Sequence, residues 1–400
     1  MALGENAHYF HGRILENVRI SNKADAYVLN GWASAATHTD LVDTYRNLTG
    51  DPAILQYYTQ KLYIAVKLRD KVLPAGAATI ADIFIINENN LQGKHNLSLV
   101  LEDPTGAEIF SKDFTVTISG GEEFGQLLVE EVRLPRVEKS GYYTLKAELL
   151  DRKKAVKAAG YDDIFVVDYK TGPGIKGSAA VIDTSGTVNA LLKETRGITF
   201  DDFDPFGPDI DYIIIGAHDY NKVSRLGKER VRGTDPIMDR VRNGATLIIL
   251  DRADLWAKHM TGFYQTSVKY TGSEQWGNRG RFFVGRSELL KDLPLSQSMN
   301  WEYQVFYRGD VRGLRLAPEG VETIAGLAAE HSGEILNALS RIRFGNGQII
   351  ITTLRILPEL SSEKPQSAVA KKLFLNLLEY SRMRHTSLNV RSHASRRRRF

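Results

Sequence analysis

Residues Ala24 to Pro52 read ADAYVLNGWASAATHTDLVDTYRNLTGDP, and this stretch sets the expectation for the rest of the chain. Ala26-Tyr27-Val28-Leu29 is an apolar, strand-like run stopped by Asn30-Gly31, a strong turn pair. Trp32 follows, then small residues, His38, Asp40 and Asp43, then Tyr45-Arg46-Asn47 and the closing Gly50-Asp51-Pro52. An apolar strand that delivers an aromatic and polar side chains into a loop is how a β/α barrel builds its active face. The stretch is therefore expected to be the last strand and exit loop of such a barrel. Upstream, Phe10, Ile14, Leu15 and Val18 share a helical face, which predicts a short helix from about Gly12 to Ile20 feeding that strand.

Downstream, residues 53–61 read as a connector carrying Tyr57-Tyr58. From Leu62 the period becomes strand-like: Leu62 to Val66, Ala81 to Ile86, Leu97 to Leu101, Ile109-Phe110 with Phe114 to Ile118, Gln126 to Leu134, Tyr142 to Leu150 and Ile164 to Val167. About seven short strands separated by turn signals over 62–168 predict an immunoglobulin-like β-sandwich, in architecture only, since the Cys–Trp–Cys signature is absent. Thr171-Gly172-Pro173-Gly174 reads as a linker. Beyond it, Ala179 to Ile182, Tyr212 to Ile215, Thr246 to Leu250 and Gln348 to Thr353 are near-continuous Ile/Val runs, with helices at Thr187 to Glu194, Pro236 to Asn243 and Ala368 to Tyr380. Strands buried on both faces with helices between them predict a parallel sheet. The less regular, aromatic-rich segment 255–340 is expected to be an insertion with edge elements.

The chain has 400 residues, 42% hydrophobic and 25% charged, which suits two or three globular domains. No apolar run approaches the roughly eighteen residues of a membrane span. Met1 to Glu5 has neither a cationic n-region nor an apolar h-region, so no compartment is assigned. There is no cysteine, which excludes disulfides, thiolate metal sites and a cysteine nucleophile. The formal charge of +4 belongs to the segment 384–400, which holds six Arg and no acid; subtracting those six leaves −2 for the rest. No nucleic-acid groove is expected in the folded body, and 384–400 is expected to be a disordered basic tail.

Three groups of segments resemble the C-terminal part of bacterial glycoside hydrolases of family 2, the β-galactosidase type. The first is the 24–52 stretch. The second is LYIAVKLRDKVLPAG from Leu62, ADIFIINENNLQGKH from Ala81 and ISGGEEFGQLLVEEVRLP from Ile118. The third is GSAAVIDTSG from Gly177, DYIIIGAHD from Asp211 and NGATLIILDRAD from Asn243. The resemblance spans about 24 to 383 and implies a TIM-barrel remnant at 1–52, the sandwich at 62–168 and a flavodoxin/amidotransferase-like α/β module at 177–383. Such enzymes retain configuration and need two carboxylic acids about 5–5.5 Å apart. In the family both come from earlier barrel strands, which this sequence does not contain, so no catalytic residue is assigned. Glu5, Glu16 and Asp25 are the nearest acids, none at the end of its own barrel strand. The resemblance carries over Trp32 as an aromatic flooring the sugar site, its flat face suiting a pyranose, with His38 and Asp40 on the same rim. A packing indole and a hydrogen-bonded loop are the alternatives for these three.

Other motifs are weaker. Asp183-Thr184-Ser185-Gly186 ends a strand and opens a helix, where backbone N–H groups could hold an anion, but it lacks phosphate-loop spacing and reads equally as a cap. Gly216-Ala217-His218-Asp219 stands where amidotransferase-like folds carry a nucleophile, yet no Ser follows the glycine. Glu122-Glu123 with Glu130-Glu131 suggest calcium or, more simply, a solvated sheet edge. No metal or cofactor is expected. Two functions follow. One is the C-terminal portion of a family 2 glycoside hydrolase, closing the sugar site and supplying accessory domains. The other is a stand-alone protein binding a carbohydrate or a partner without catalysis. Family members are often periplasmic or secreted. Self-association through the apolar barrel remnant is an outcome either reading allows.

Overall fold

A computed structural model describes residues 2–24, 26–28, 33–34, 41–43, 45–171, 174–175, 177–195, 197–226, 235–263, 269–275, 282–307, 312–317, 319–328 and 334–379. Two compact units divide the chain, Met1–Asp168 and Tyr169–Phe400. It is a β-rich, multi-sheet protein with helices in both units.

The first unit opens with a helix at Ala2–Ser21, ten residues longer at its start than the apolar face alone suggests. The periodicity missed that half because its inward residues are small or polar: Asn6, Ala7 and His8 are all buried. Charge fastens this helix. Arg13 donates to Asp162 at 3.0 Å and pairs with Glu16 at 3.2 Å, while Lys67 reaches Glu16 at 2.9 Å and Lys71 pairs with Asp162. Lower down, the Arg19 guanidinium donates to the Tyr58 and Gln60 carbonyls, both at 2.7 Å, and to Glu88. The helix also lies close to its neighbours, since a side chain on Gly12 would meet the Tyr58 ring at 2.0 Å.

Two expectations for the N-terminal stretch are corrected. Ala26 to Val28 form no strand, and all three are exposed. A lone extended run has no neighbour to take its backbone hydrogen bonds, and apolar composition cannot supply one. Residues 53–61 are no simple connector, because Pro52–Tyr58 is a helix burying Leu55 and Tyr58. Asp51 caps it by accepting from Ala53 N at 2.9 Å, with Pro52 in the first turn, a start signal legible in Gly50-Asp51-Pro52.

Eight strands then build two facing sheets. Leu62–Leu68, Ile80–Asn87 and Gly125–Arg133 form an antiparallel three-stranded sheet. The other runs in the order Val72–Pro74, Val156–Val167, Gly141–Leu150, Gly93–Glu102, Glu108–Ile118. Alternate residues such as Leu97, Leu99, Leu101 and Leu145, Ala147, Leu149 point into a core shared with Ile64, Val66, Ile83 and Ile85. Tyr143 donates its hydroxyl to the Lys139 carbonyl at 3.0 Å, four residues back, the contact by which sandwich folds pin a strand's start. The first half of Val156–Val167 escaped the sequence pattern because Ala158, Gly160 and Asp162 are its buried positions, and none is a large apolar residue.

In the second unit, five parallel strands lie in the order Ile198–Asp202, Gly177–Ile182, Tyr212–Ile215, Thr246–Ile249, Gly347–Thr352. In chain sequence that is 2-1-3-4-5. Helices Pro236–Asn243 and Ala253–Phe263 bury Ile237, Met238, Val241, Trp256 and Met260 against Ile213, Ile215, Leu247, Ile249, Ile349 and Ile351. Gly244 closes the first of these, its φ of 136° unsuited to a side chain and its N–H donating to the Arg240 and Val241 carbonyls. The segment 255–340, expected as an insertion with edge elements, falls in sequence between two paired parallel strands and extends the sheet to its edge through Ile335–Phe344, Arg312–Leu316, Val321–Ala328, Tyr270–Gln275 and Phe282–Val284, all antiparallel. The sheet thus changes from parallel to antiparallel at Gly347–Thr352, where the Phe344-to-Gly347 hairpin reverses the chain.

Burial sets the alkaline behaviour of the first unit. It lowers the Lys67 and Lys71 ammonium pKa values and raises the Tyr57, Tyr58 and Tyr63 phenols. Lysines that hold protons less tightly when folded make stability rise with pH up to the free lysine value of about 10.4. Phenols that hold protons more tightly when folded make it fall above the free tyrosine value of about 10. Urea midpoints of the first unit should therefore climb gently from neutral pH, then drop as phenolate absorbance appears. Phenolate forming fully near pH 10 without unfolding would contradict this.

Candidate functional site

The residues assigned to sugar contact, Trp32, His38 and Asp40, lie outside the described residues, as does the tail 384–400. Around them, Val42–Asp43 pairs in parallel with Ala33–Ser34. Asp43 folds the following turn by accepting from the Tyr45 and Asn47 amides, both at 2.8 Å. Of the nearby acids, Glu16 is buried and engaged by Arg13 and Lys67.

The site that can be built atom by atom is the crevice at the C-terminal ends of the parallel strands. In open α/β sheets ligands bind where the strand order reverses. Here that point lies between Gly177–Ile182 and Tyr212–Ile215, which release Asp183-Thr184-Ser185-Gly186 and Gly216-Ala217-His218-Asp219 side by side. Asp183 fills the gap. Its Oδ1 accepts from Ser185 N at 3.1 Å, Ser185 Oγ at 2.6 Å and Ala217 N at 3.1 Å. Its Oδ2 accepts from Val188 N at 2.8 Å, in the first turn of helix Thr187–Glu194. The carboxylate thus occupies the position an incoming anion would take at a helix start. Gly216 is required by this closure, because a Cβ there would sit 2.7 Å from the Asp183 carboxyl carbon.

His218 is buried behind the same turn. Its Nδ1–H donates to the Gly216 carbonyl at 2.8 Å, and its Nε2 accepts from Trp256 Nε1 at 3.1 Å. That pattern fixes a neutral tautomer with both ring nitrogens committed. Asp251 stands 3.8 Å from Nδ1. A second buried line runs alongside: Tyr220 donates to His259 Nδ1 at 3.4 Å, and His259 Nε2–H donates to Asp235 at 2.8 Å. Asp235 also caps helix Pro236–Asn243 through Ile237 N and Met238 N. Burial, and then Asp235, raise the Tyr220 phenol above its ordinary value.

Chemically, the His259 Nδ1 lone pair is taken by the Tyr220 phenol and the His218 Nε2 lone pair by the Trp256 indole. The Ser185 hydroxyl is held by Asp183 and Thr187, and His218 orders the core. Among the described residues no group of three or more His, Asp or Glu is placed to hold a metal ion. The sequence named both strand-end turns. It did not signal Trp256, Tyr220, His259 and Asp235 as partners of one cluster, because the hydrogen-bonded pairs are distant in the chain: His218 and Trp256 by 38 residues, Tyr220 and His259 by 39, His259 and Asp235 by 24.

No protein-family model matches the sequence, and no curated protein matches it. Solved structures similar to it include a family 2 glycosyl hydrolase member from Bacteroides cellulosilyticus, at 12% identity, 51% of this chain, 29% of that chain and a TM-score of 0.22. A calcium-binding mutant of Bacteroides uniformis β-glucuronidase 2 is similar at 12% identity, 52% and 26% coverage and a TM-score of 0.20. The CARDB domain of a Pyrococcus furiosus protein, in complex with di-metal ions, aligns at 14% identity over 26% of this chain and 87% of its own, with a TM-score of 0.20. The chain spans less than a third of either hydrolase it resembles. At these scores the likenesses carry no argument about the crevice.

Replacing Asp183 tests the closure. Asp183→Ala removes the acceptor of four donors and should cost about 1–3 kcal/mol by urea denaturation. Isothermal titration with nucleotides and a glutaminase assay should stay blank in the parent and in the variant. Micromolar nucleotide binding by the parent would falsify the reading of a crevice closed by its own carboxylate.

Proposed function

We propose that the chain is the C-terminal portion of a family 2, β-galactosidase-like glycoside hydrolase acting in carbohydrate breakdown. Residues 1–52 are the barrel's exit, 62–168 an Ig-like sandwich and 177–383 a flavodoxin- or amidotransferase-like accessory module. The observation that carries the accessory role is the strand-end crevice, occupied by Asp183 and backed by a fully engaged His218. The three sequence segments support the carbohydrate class, and the 2-1-3-4-5 parallel order supports the module's type. The run 26–29 would find hydrogen-bonding neighbours only beside other barrel strands. Until then Val28 is 89% and Tyr45 85% exposed, which favours association of this stretch with further barrel strands or with another copy.

Catalysis belongs to carboxylates outside this sequence. Purified protein should release no nitrophenol from aryl β-galactoside, β-glucuronide or β-mannoside, because loosely tethered acids cannot replace a preorganised pair. Turnover that disappears in both Glu5→Gln and Glu16→Gln variants would establish a complete site here and sink the accessory reading.

Trp32, His38 and Asp40 form the rim that touches sugar in this reading. Saturation-transfer NMR with methyl β-galactoside should show contact to the parent, weakened by about tenfold in Trp32→Ala, the scale of one aromatic platform. Equal transfer to both proteins would remove Trp32 from the site.

A further inference from the structure

We propose that the second unit carries a saccharide site of its own, for a neutral mono- or disaccharide, in a cavity of about 580 Å³ formed by Tyr169, the C-terminal end of helix Thr187–Glu194 and helix 368–379. The cavity lies at the edge where the parallel strands begin, opposite the crevice closed by Asp183. Gly174 and Ile175 precede the strand Gly177–Ile182, and Tyr212, first residue of its strand, donates to the Leu378 carbonyl near the cavity's far wall. It uses none of the residues on which the sugar rim at Trp32 rests.

Its size is within the range of about 300–1,000 Å³ typical of small-molecule sites. Ile175, Leu191 and Leu375 give it an apolar floor, and the half-buried Tyr169 ring gives it a flat wall. Burial, and then the Glu194 charge, raise the Tyr169 phenol, which therefore stays a hydrogen-bond donor at neutral pH. The polar groups balance. Lys170 and Lys371 lie 5.8 and 5.5 Å from the Tyr169 ring centroid, Lys372 pairs with Asp292 at 3.1 Å, and Glu194 and Glu379 supply the remaining carboxylates. The lining itself holds two ammonium groups, Lys170 and Lys372, and two carboxylates, Glu194 and Glu379, so a charged ligand would meet a like charge beside each opposite one. Hydroxyl groups suffer no such penalty, since they donate to carboxylates and accept from ammonium. An aromatic face with an apolar floor suits the C–H face of a pyranose. Asn376 is fixed in the wall by donating to the Leu289 and Lys291 carbonyls, at 3.0 and 2.8 Å.

The test is isothermal titration of the full chain carrying Trp32→Ala, so that failure of the sugar rim and failure of this cavity are read separately. Lactose and cellobiose are the probes, with glucuronate and glucosamine as charged comparators. Binding of a neutral disaccharide is expected, about tenfold weaker with Tyr169→Ala, and within about threefold of the parent with Tyr169→Phe, which keeps the ring. Glu379→Gln should also weaken it, and covers the case of an unfolded Tyr169→Ala protein. Three results would overturn the proposal: no heat with either disaccharide, tighter binding of a charged comparator, or affinity unchanged in both Tyr169→Ala and Glu379→Gln.

Discussion

The first unit depends on an alternating chain of charge, Lys67–Glu16–Arg13–Asp162–Lys71, in which the two carboxylates are buried and the three cations half-buried. Helix Ala2–Ser21 has few large apolar residues facing inward, and its fixed position comes from these pairs. Buried ion pairs gain little over a well-packed apolar contact, but losing one partner leaves an uncompensated charge and costs about 3–5 kcal/mol. The arrangement therefore specifies a single docking position more than it adds stability. Every charge is matched only when the helix stands at one height and one rotation, with Gly12 against the Tyr58 ring. The same burial moves the lysine and phenol pKa values in opposite directions.

In the second unit a single carboxylate has the comparable role. Asp183 gathers donors from its own turn, from the following helix and from the neighbouring strand-end turn, and so ties together the two loops that flank the reversal of strand order. A fold whose geometry favours a ligand at this place has that place occupied from within. A further concavity lies at the opposite edge, lined by Tyr169 and helix 368–379.

Much of the architecture was legible in the sequence wherever side chains alternate or run continuously. Leu97-Ser98-Leu99-Val100-Leu101 and the Ile213 to Ile215 and Leu247 to Ile249 runs gave strands of the right kind in the right place, because one or both of their faces are buried in apolar cores. Asp51-Pro52 and Gly244 mark a helix start and stop by local chemistry alone. The beginning of Val156–Val167 was not legible, since its inward positions hold Ala158, Gly160 and Asp162. The run at 26–29 misled for the reverse reason: an apolar pattern states that a segment can be a strand, and the neighbouring strands decide whether it is one.

By itself, then, the sequence determined most of the sandwich strands, the parallel strands with their helices, the absence of thiol chemistry and the two strand-end turns at Asp183 and Gly216. Those follow from periodicity, composition and turn residues, which act over a few residues of chain. Only the tertiary structure decided that 255–340 extends the sheet, that Asp183 closes the crevice, that His218 and Trp256 are partners, and that Asp162 lies beside Arg13, 149 residues away. Each of these is a contact between distant segments. Its energy depends on how backbones already folded come to lie against each other, and no local pattern carries that distance.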